Sequence, residues 1–99
     1  MHIRPSMNND HSFIVSPEVA ASFHDDGIVV LHTGKGTVFT ANKAGARIWH
    51  GIEQRLTSEA IAEEISRAYQ LAQSTAREHT FRFLSQLERH ALIRREAAS

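Results

Sequence analysis

The sequence predicts an α+β domain in which a three-stranded antiparallel sheet is followed by three helices. Short β-branched and alternating runs fill the first half of the chain, and turn signals at Asp25-Asp26-Gly27 and Gly34-Lys35-Gly36 separate them. In the second half, apolar residues recur every three or four positions, which is the period of an amphipathic helix. A chain of 99 residues has room for one hydrophobic core, so we expect a single domain.

The strands are predicted from apolar runs with high β propensity. Phe13–Val15 is a short run that ends before Pro17, and Val19–Phe23 approaches the sheet a second time. Ile28–Thr33 opens with consecutive β-branched residues, which favour a strand over a helix. A glycine-rich turn then returns the chain as Thr37–Ala41, the other arm of a hairpin.

The strand Thr37–Ala41 is the first candidate for a functional role. Alternation places Thr37, Phe39 and Ala41 on one face, which the large Phe39 marks as the core side, and Val38 and Thr40 on the other. This short strand comes directly before the helices. A strand edge beside a helix offers a slot in which an extended peptide adds as a further strand.

The helices are predicted from caps and apolar stripes. Asn42 and Thr57 are suited to cap the first two helices, because their side chains accept hydrogen bonds from free backbone N–H groups. The third helix is expected over about Gln73 to Ala91. The expected apolar stripes are Ala44, Ile48 and Ile52, with Trp49 beside them; Ile61, Ile65, Ala68 and Tyr69; and Ala76, Thr80, Phe83, Leu84, Leu87 and Ala91.

Composition excludes several classes of protein. Eleven basic and eleven acidic residues give a net charge of zero, so the chain lacks the positive charge that grips nucleic-acid phosphates. It has no cysteine and no run of about 18 apolar residues that would cross a bilayer. Its first residues lack the apolar segment of a signal peptide. We expect a cytoplasmic protein with a flexible arm over residues 1–12, a folded domain over 13–93 and a charged tail over 94–99.

The residues give no sign of catalysis or of a bound metal or cofactor. No serine lies in a Gly-x-Ser-x-Gly elbow, and Gly34-Lys35-Gly36 lacks the length and the Lys-Ser/Thr ending of a phosphate loop. His79 and His90 share a helix flank, but a separation of eleven residues places them about 16 Å apart, too far to chelate one ion. We expect no catalytic residue, no metal ligand and no cofactor.

Phe81 stands apart from the apolar stripe of the third helix. It lies about 100° from the middle of that stripe, with Arg77, Leu84 and Glu88 around it. One interpretation is that Phe81 covers the edge of the core. The other is that it lines a groove between this helix and the edge of the hairpin. The sequence leaves both open.

A DNA-binding regulator is the alternative reading of the same elements. Two helices with a short connection, and Arg77, Arg82 and Arg89 on the second, are typical of a winged-helix DNA reader. Glu78 and Glu88 offset these arginines, and the whole chain is neutral. Charge therefore argues against this function.

An ordered set of residues runs from about Phe13 to Ile93. It consists of Asp26-Gly27 before a hydrophobic strand, Thr33-Gly34 at the turn, Asn42 at the hairpin end, Gly45-Ala46-Arg47-Ile48-Trp49, Thr57 with Ile61 and Ile65, Tyr69, Phe83-Leu84 with Leu87, and Leu92-Ile93. This set resembles the PqqD-like family, the peptide-recognition elements of ribosomally made, modified peptides. Ala41 stands where the family usually has leucine, and Ala72 where it often has an acidic cap. The Gly34-Lys35-Gly36 turn replaces the Pro-Glu-Gly of quinone-cofactor members and is more like lasso-peptide members.

The resemblance implies a winged-helix-like fold and a non-catalytic adaptor. Family members bind the leader of a precursor peptide as an added strand on the third strand, against the third helix, and present it to a separate modifying enzyme or leader peptidase. No nucleic acid or membrane is implied as a partner. A homodimer through the open strand edge is a further alternative. The expected peptide-binding residues are Thr37, Val38, Phe39, Thr40, Ala41, Arg77, Phe81, Leu84 and Glu88.

Overall fold

The computed structural model describes residues 11–96. Residues 1–10, which are most of the expected arm, and residues 97–99, which are half of the expected tail, lie outside them. The α+β prediction is confirmed, because a three-stranded antiparallel sheet precedes three helices. The elements in chain order are β1 (Phe13–Val15), β2 (Val19–His24), β3 (Gly27–His32), β4 (Thr37–Ala41), α1 (Lys43–Glu53), α2 (Ser58–Tyr69), α3 (Gln73–Arg89) and β5 (Ile93–Arg95).

The main sheet has the order β2-β3-β4, so β3 is the central strand and β4 is an edge. Val30 of β3 lies opposite Ala21 of β2 and opposite Phe39 of β4. Ile28 and Val30 point into the core and are buried. Both β2 and β4 pair with β3 alone among the strands of residues 11–96.

A second, two-stranded sheet joins the two ends of the described chain. β1 pairs with β5 in antiparallel register, with Phe13 opposite Arg95. The sequence predicts Phe13–Val15 in the main sheet, whereas the structure pairs this strand with β5 instead. The sequence also predicts a tail over residues 94–99, but Arg94 and Arg95 belong to β5. Ser12 is also tied down, because its carbonyl oxygen accepts a hydrogen bond of 3.0 Å from the N–H of Glu96. The folded unit therefore extends at both ends beyond the 13–93 expected.

The helices begin as their caps predict. Asn42 Oδ1 accepts a hydrogen bond from the N–H of Gly45 at 3.0 Å, and Thr57 Oγ1 accepts one from the N–H of Ala60 at 3.1 Å. α3 begins at Gln73 with no side chain capping it. A helix that lacks a capping side chain relies on tertiary packing for its first turn.

The core lies between β3, the three helices and the β1–β5 pair, whose Phe13 and Ile93 are buried in it. Its largest fully buried side chain is Trp49, whose indole N–H donates to Glu53 Oε2 at 3.0 Å. On α2 the buried stripe ends at Ile65, and Ala68 and Tyr69 are exposed, contrary to the sequence prediction. They occupy the last turn of the helix. The buried residues of α3 are Ala76, Thr80, Leu84 and Leu87.

Candidate functional site

The hydrogen-bonding pattern of β3 fixes which way the peptide groups of β4 point. The N–H of Thr33 donates to the carbonyl oxygen of Glu18, beside β2, at 2.8 Å. The carbonyl oxygen of His32 instead accepts from the N–H of Gly36, on the β4 side, at 2.8 Å. Because a strand directs the peptide groups of successive residues to opposite sides, odd-numbered residues of β3 bond to β2 and even-numbered ones bond to β4.

The register then gives β4 an open row of donors and acceptors. Thr37, Phe39 and Ala41 lie opposite even-numbered residues of β3, so their N–H and C=O groups are used within the sheet. Val38 and Thr40 direct theirs away from β3, and no further strand among residues 11–96 covers this edge. Val38 is also 63% exposed. An edge of this kind is a template for one more strand.

A row of three aromatic rings lies beside the edge, on its core side. The Phe39 ring contacts Phe83 of α3 and His90, which directly follows α3. The ring centroids lie 5.9 Å and 5.5 Å from that of Phe39. Phe39 and Phe83 are half-buried and His90 is exposed. We call the surface formed by the open edge of β4 and these three rings the β4–α3 groove. It presents apolar surface next to free peptide groups.

Gly45 allows α1 and α3 to approach β4 closely near Ala41, the last residue of that strand. A Cβ atom on Gly45 would lie 2.6 Å from Ala41 Cβ and 2.9 Å from Phe83 Cζ. Real Cβ contacts are longer, so a larger residue would push the elements apart. The glycine therefore sets how closely Phe83 approaches the strand.

The residues predicted to bind peptide fall into two groups. The five on β4, Thr37–Ala41, form the open edge. Phe81, Leu84 and Glu88 instead line a depression of about 190 Å³ together with residues of β1, α2 and β5, and no residue of β4 lines it. Phe81 and Phe83 are about 200° apart on the helix, so they flank the buried stripe on opposite sides. The structure does not bring the two groups together.

The contacts of Arg77, Phe81 and Glu88 are within the molecule. Arg77 pairs with Glu59 of α2 at 2.9 Å, and its guanidinium lies 5.6 Å from the centre of the Phe81 ring. Glu88 pairs with Arg95 of β5 at 3.1 Å. The role of these residues in peptide binding stays a prediction, and their packing favours the alternative that Phe81 covers the edge of the core.

Sequence reasoning did not assign Phe83 or His90 to the site. The helical period counts Phe83 in the apolar stripe, but the structure shows it half-buried on the flank of α3 that faces β4. The available signal was the helical spacing: Phe83 and His90 are seven residues apart and share one flank. What the spacing does not reveal is which flank of α3 faces the sheet edge.

Charge and chemistry elsewhere do not suggest a second kind of site. Arg82 pairs with Glu78 at 2.9 Å, so part of the basic surface of α3 is neutralised. No group of three potential metal ligands comes together within residues 11–96, and none of their helices is long and apolar enough to cross a membrane. Hydrogen bonds from Arg55 and Ser12 lower the pKa of Glu96. Glu96 directly follows β5, and its backbone N–H donates to the carbonyl oxygen of Ser12.

An open strand edge beside an aromatic helix flank defines a candidate site for strand addition by an extended peptide. The chain belongs to the PqqD family: the family model described as coenzyme PQQ synthesis protein D (PqqD) matches residues 27–93. The resemblance seen in the sequence is thereby confirmed. Among curated proteins, no sequence is significantly similar to this one.

Two solved structures share the fold. One, described as TbiB1 in complex with the TbiA(beta) leader peptide, has a TM-score of 0.77 and 30% sequence identity, and the match covers 85% of this chain and 98% of that chain. The other, a lasso peptide synthetase B1 complexed with the leader peptide, has a TM-score of 0.77 at 18% identity and covers 84% of this chain and 98% of that chain. The second similarity bears on the fold alone.

Proposed function

We propose that this protein binds the leader region of a ribosomally made precursor peptide as an added strand on β4. The observation that carries the proposal is the open edge at Val38 and Thr40, which directs peptide groups toward the β4–α3 groove. The similar structure at 30% identity, a complex with a leader peptide, supports it. We propose a lasso-peptide pathway as the context, because the Gly34-Lys35-Gly36 turn resembles that of lasso-peptide members of the family.

Backbone bonds alone are not sufficient for such a complex. Val38 and Thr40 together offer two donors and two acceptors, and each hydrogen bond contributes about 0.5–1.5 kcal/mol net. Association costs about 4–15 kcal/mol in lost freedom of motion. Affinity must therefore come mainly from side chains of the leader that reach Phe39 and Phe83. Main-chain bonds fix the register, and the groove supplies binding energy and specificity.

The protein acts as an adaptor with no chemical step of its own. It delivers the bound leader to a separate enzyme in the cytoplasm, either a modifying enzyme or a leader peptidase. The site offers hydrogen bonds and apolar surface, and it needs no cofactor for this role. Incubation of the protein with its precursor should leave the mass of the peptide unchanged, and cleavage or modification by the protein alone would contradict the proposal.

Amide exchange on β4 tests the binding mode directly. The probes are synthetic N-terminal segments of each short peptide encoded near the gene, with scrambled versions as controls. A bound segment should slow exchange at Val38 and Thr40, whose N–H groups are otherwise free. The amides of Thr37, Phe39 and Ala41 already bond to β3, so they should change much less. Binding with unchanged exchange at Val38 and Thr40 would rule out strand addition at this edge.

Proline substitutions provide a matched pair on the same strand. Thr40→Pro removes an outward N–H and places proline on an edge strand, where it is tolerated, so the domain should fold and lose leader affinity. Phe39→Pro removes an N–H that bonds to β3, so the fold itself should be damaged. A Thr40→Pro variant with wild-type affinity would contradict the proposed edge.

Self-association through β4 would occupy the same edge as the leader. If the protein forms a homodimer this way, sedimentation should show that a binding leader converts it to a monomer. A dimer that binds leader without dissociating would place the dimer contact elsewhere.

A further inference from the structure

We propose that His90 makes the site selective for leaders that carry a carboxylate two residues from an apolar anchor. This inference rests on the proposed function and names the class of peptide that the groove accepts. It is carried by a change of polarity along the groove, by the position of the His90 ring and by the charges around it.

The groove is closed and apolar at one end and open and polar at the other. At the closed end, Phe83 packs at Gly45 and next to Ala41. His90 is seven residues further along α3, about 10 Å along the axis, and its ring contacts Phe39. The open end therefore lies toward Thr37, which is exposed like His90.

The His90 ring is positioned but unused. Its backbone N–H is taken up at the end of α3, where it donates to the carbonyl oxygens of Gln86 and Glu88. Its ring packs against Phe39, and within residues 11–96 no hydrogen bond or ion pair engages a ring nitrogen. In every protonation state an imidazole presents at least one N–H donor. The ring thus offers a donor at the edge of an apolar surface.

The charge next to His90 in the chain favours a negative partner. Arg89 is adjacent to His90 and forms no ion pair with another residue in the described range. The turn that leads to Thr37 carries Lys35 but also has the Glu18 carboxylate against Gly34, so it adds no net charge. The nearest acidic residue in the chain, Glu88, projects to the other flank of α3 and pairs with Arg95 at 3.1 Å. An acidic side chain of a bound peptide beside His90 would therefore meet no like charge from Glu88.

The geometry of an added strand gives the spacing. Side chains on the core side recur every second residue, about 6.6 Å apart. An apolar residue opposite Phe39 would contact Phe39 and Phe83, and the next core-side residue toward the open end would lie opposite Thr37, beside His90. The leader pattern is therefore an apolar residue and an aspartate or glutamate separated by one position.

A double-mutant cycle tests the inference. The probes are a fluorescein-labelled leader that binds in the exchange assay and versions of it in which each Asp or Glu is replaced singly by its amide. His90→Phe removes the N–H donor and keeps an aromatic ring against Phe39. It should weaken binding of the parent leader about fivefold, the effect of one partly exposed charged contact. One amide version of the leader should bind the wild-type protein about fivefold more weakly and should lose no further affinity with His90→Phe. His79→Phe is the control, because His79 shares the flank but lies about 16 Å away.

The outcomes test the selectivity of His90 separately from the proposed binding of a leader on β4. The selectivity assigned to His90 would be overturned if His90→Phe weakened the binding of all probes equally or of none. It would also be overturned by a tight-binding leader that has no acidic residue in the segment that pairs with β4. In these cases protection of Val38 and Thr40 would still uphold the proposed function. Absence of binding by every leader segment would overturn both.

Discussion

Phe81 and Phe83 offer a direct test of which flank of α3 takes the leader. Both are half-buried phenylalanines on the same helix, and they face opposite sides of its buried stripe. Phe83 contacts Phe39 on β4, with ring centroids 5.9 Å apart, whereas Phe81 lines the depression next to β1 and β5. Replacing each by alanine removes the same group from two different surfaces.

The two variants should lose similar stability and different affinity. Truncation of a fully buried phenylalanine costs about 3–5 kcal/mol, so each half-buried ring should cost about 2 kcal/mol. A domain with 5–15 kcal/mol of stability survives this loss at room temperature. Phe83→Ala should also weaken leader binding by about 2 kcal/mol, roughly thirtyfold, because it removes an aromatic anchor. Phe81→Ala should change affinity less than twofold.

The assay is titration of each folded variant with a fluorescent leader peptide. Fluorescence of Trp49, which is 1% exposed and is the only tryptophan of the chain, reports unfolding in parallel. A Phe81→Ala variant that is folded but loses affinity as much as Phe83→Ala would refute the assignment of the groove. Loss in Phe81→Ala alone would restore the site expected from the sequence.

Three further changes test the packing and electrostatics of the domain. Gly45→Ala should lower the free energy of unfolding by about 1–3 kcal/mol in a urea titration. Gly51→Ala should cost less, because its Cβ meets one neighbouring side chain, Ile61 at 2.9 Å, whereas a Cβ on Gly45 meets Ala41 at 2.6 Å and Phe83 at 2.9 Å. Thr80→Val should raise the Tm by about 4–8 °C, because it removes a buried hydroxyl that lacks a partner among residues 11–96; an unchanged or lower Tm would contradict this. Glu96 has a lowered pKa in the folded state, so its contribution to stability is present above about pH 4.5 and is lost as the pH falls through the lowered value. Glu96→Gln should therefore lower the Tm at pH 7, and a difference that persists in strong acid would argue against this.

Local patterns were sufficient to predict the elements that depend on local physics. The caps at Asn42 and Thr57, the hairpin that ends in Thr37–Ala41 and the extent of α3 follow from residues close in the chain. The pairing of β1 with β5 does not. It joins three-residue strands about eighty positions apart, and nothing in a short apolar run specifies a partner at that distance.

The candidate site was predicted only on its strand side. Alternation along Thr37–Ala41 identifies core and outer faces from sequence, and the family resemblance adds the third helix. Spacing on a helix gives two flanks but does not show which one faces β4, because that depends on how α3 packs on α1 and α2. Gly45 contributes to this packing, since its missing side chain leaves room for Phe83 beside Ala41.

The pairing of β1 with β5 also determines where the chain enters and leaves this domain. Ser12 and Glu96 are hydrogen-bonded neighbours, so a polypeptide entering at one end and leaving at the other passes through adjacent points. These points lie near the Phe81 side of α3, and the β4–α3 groove is on its other side. The domain is therefore suited to insertion between two segments of a longer polypeptide, with both junctions clear of the open edge of β4.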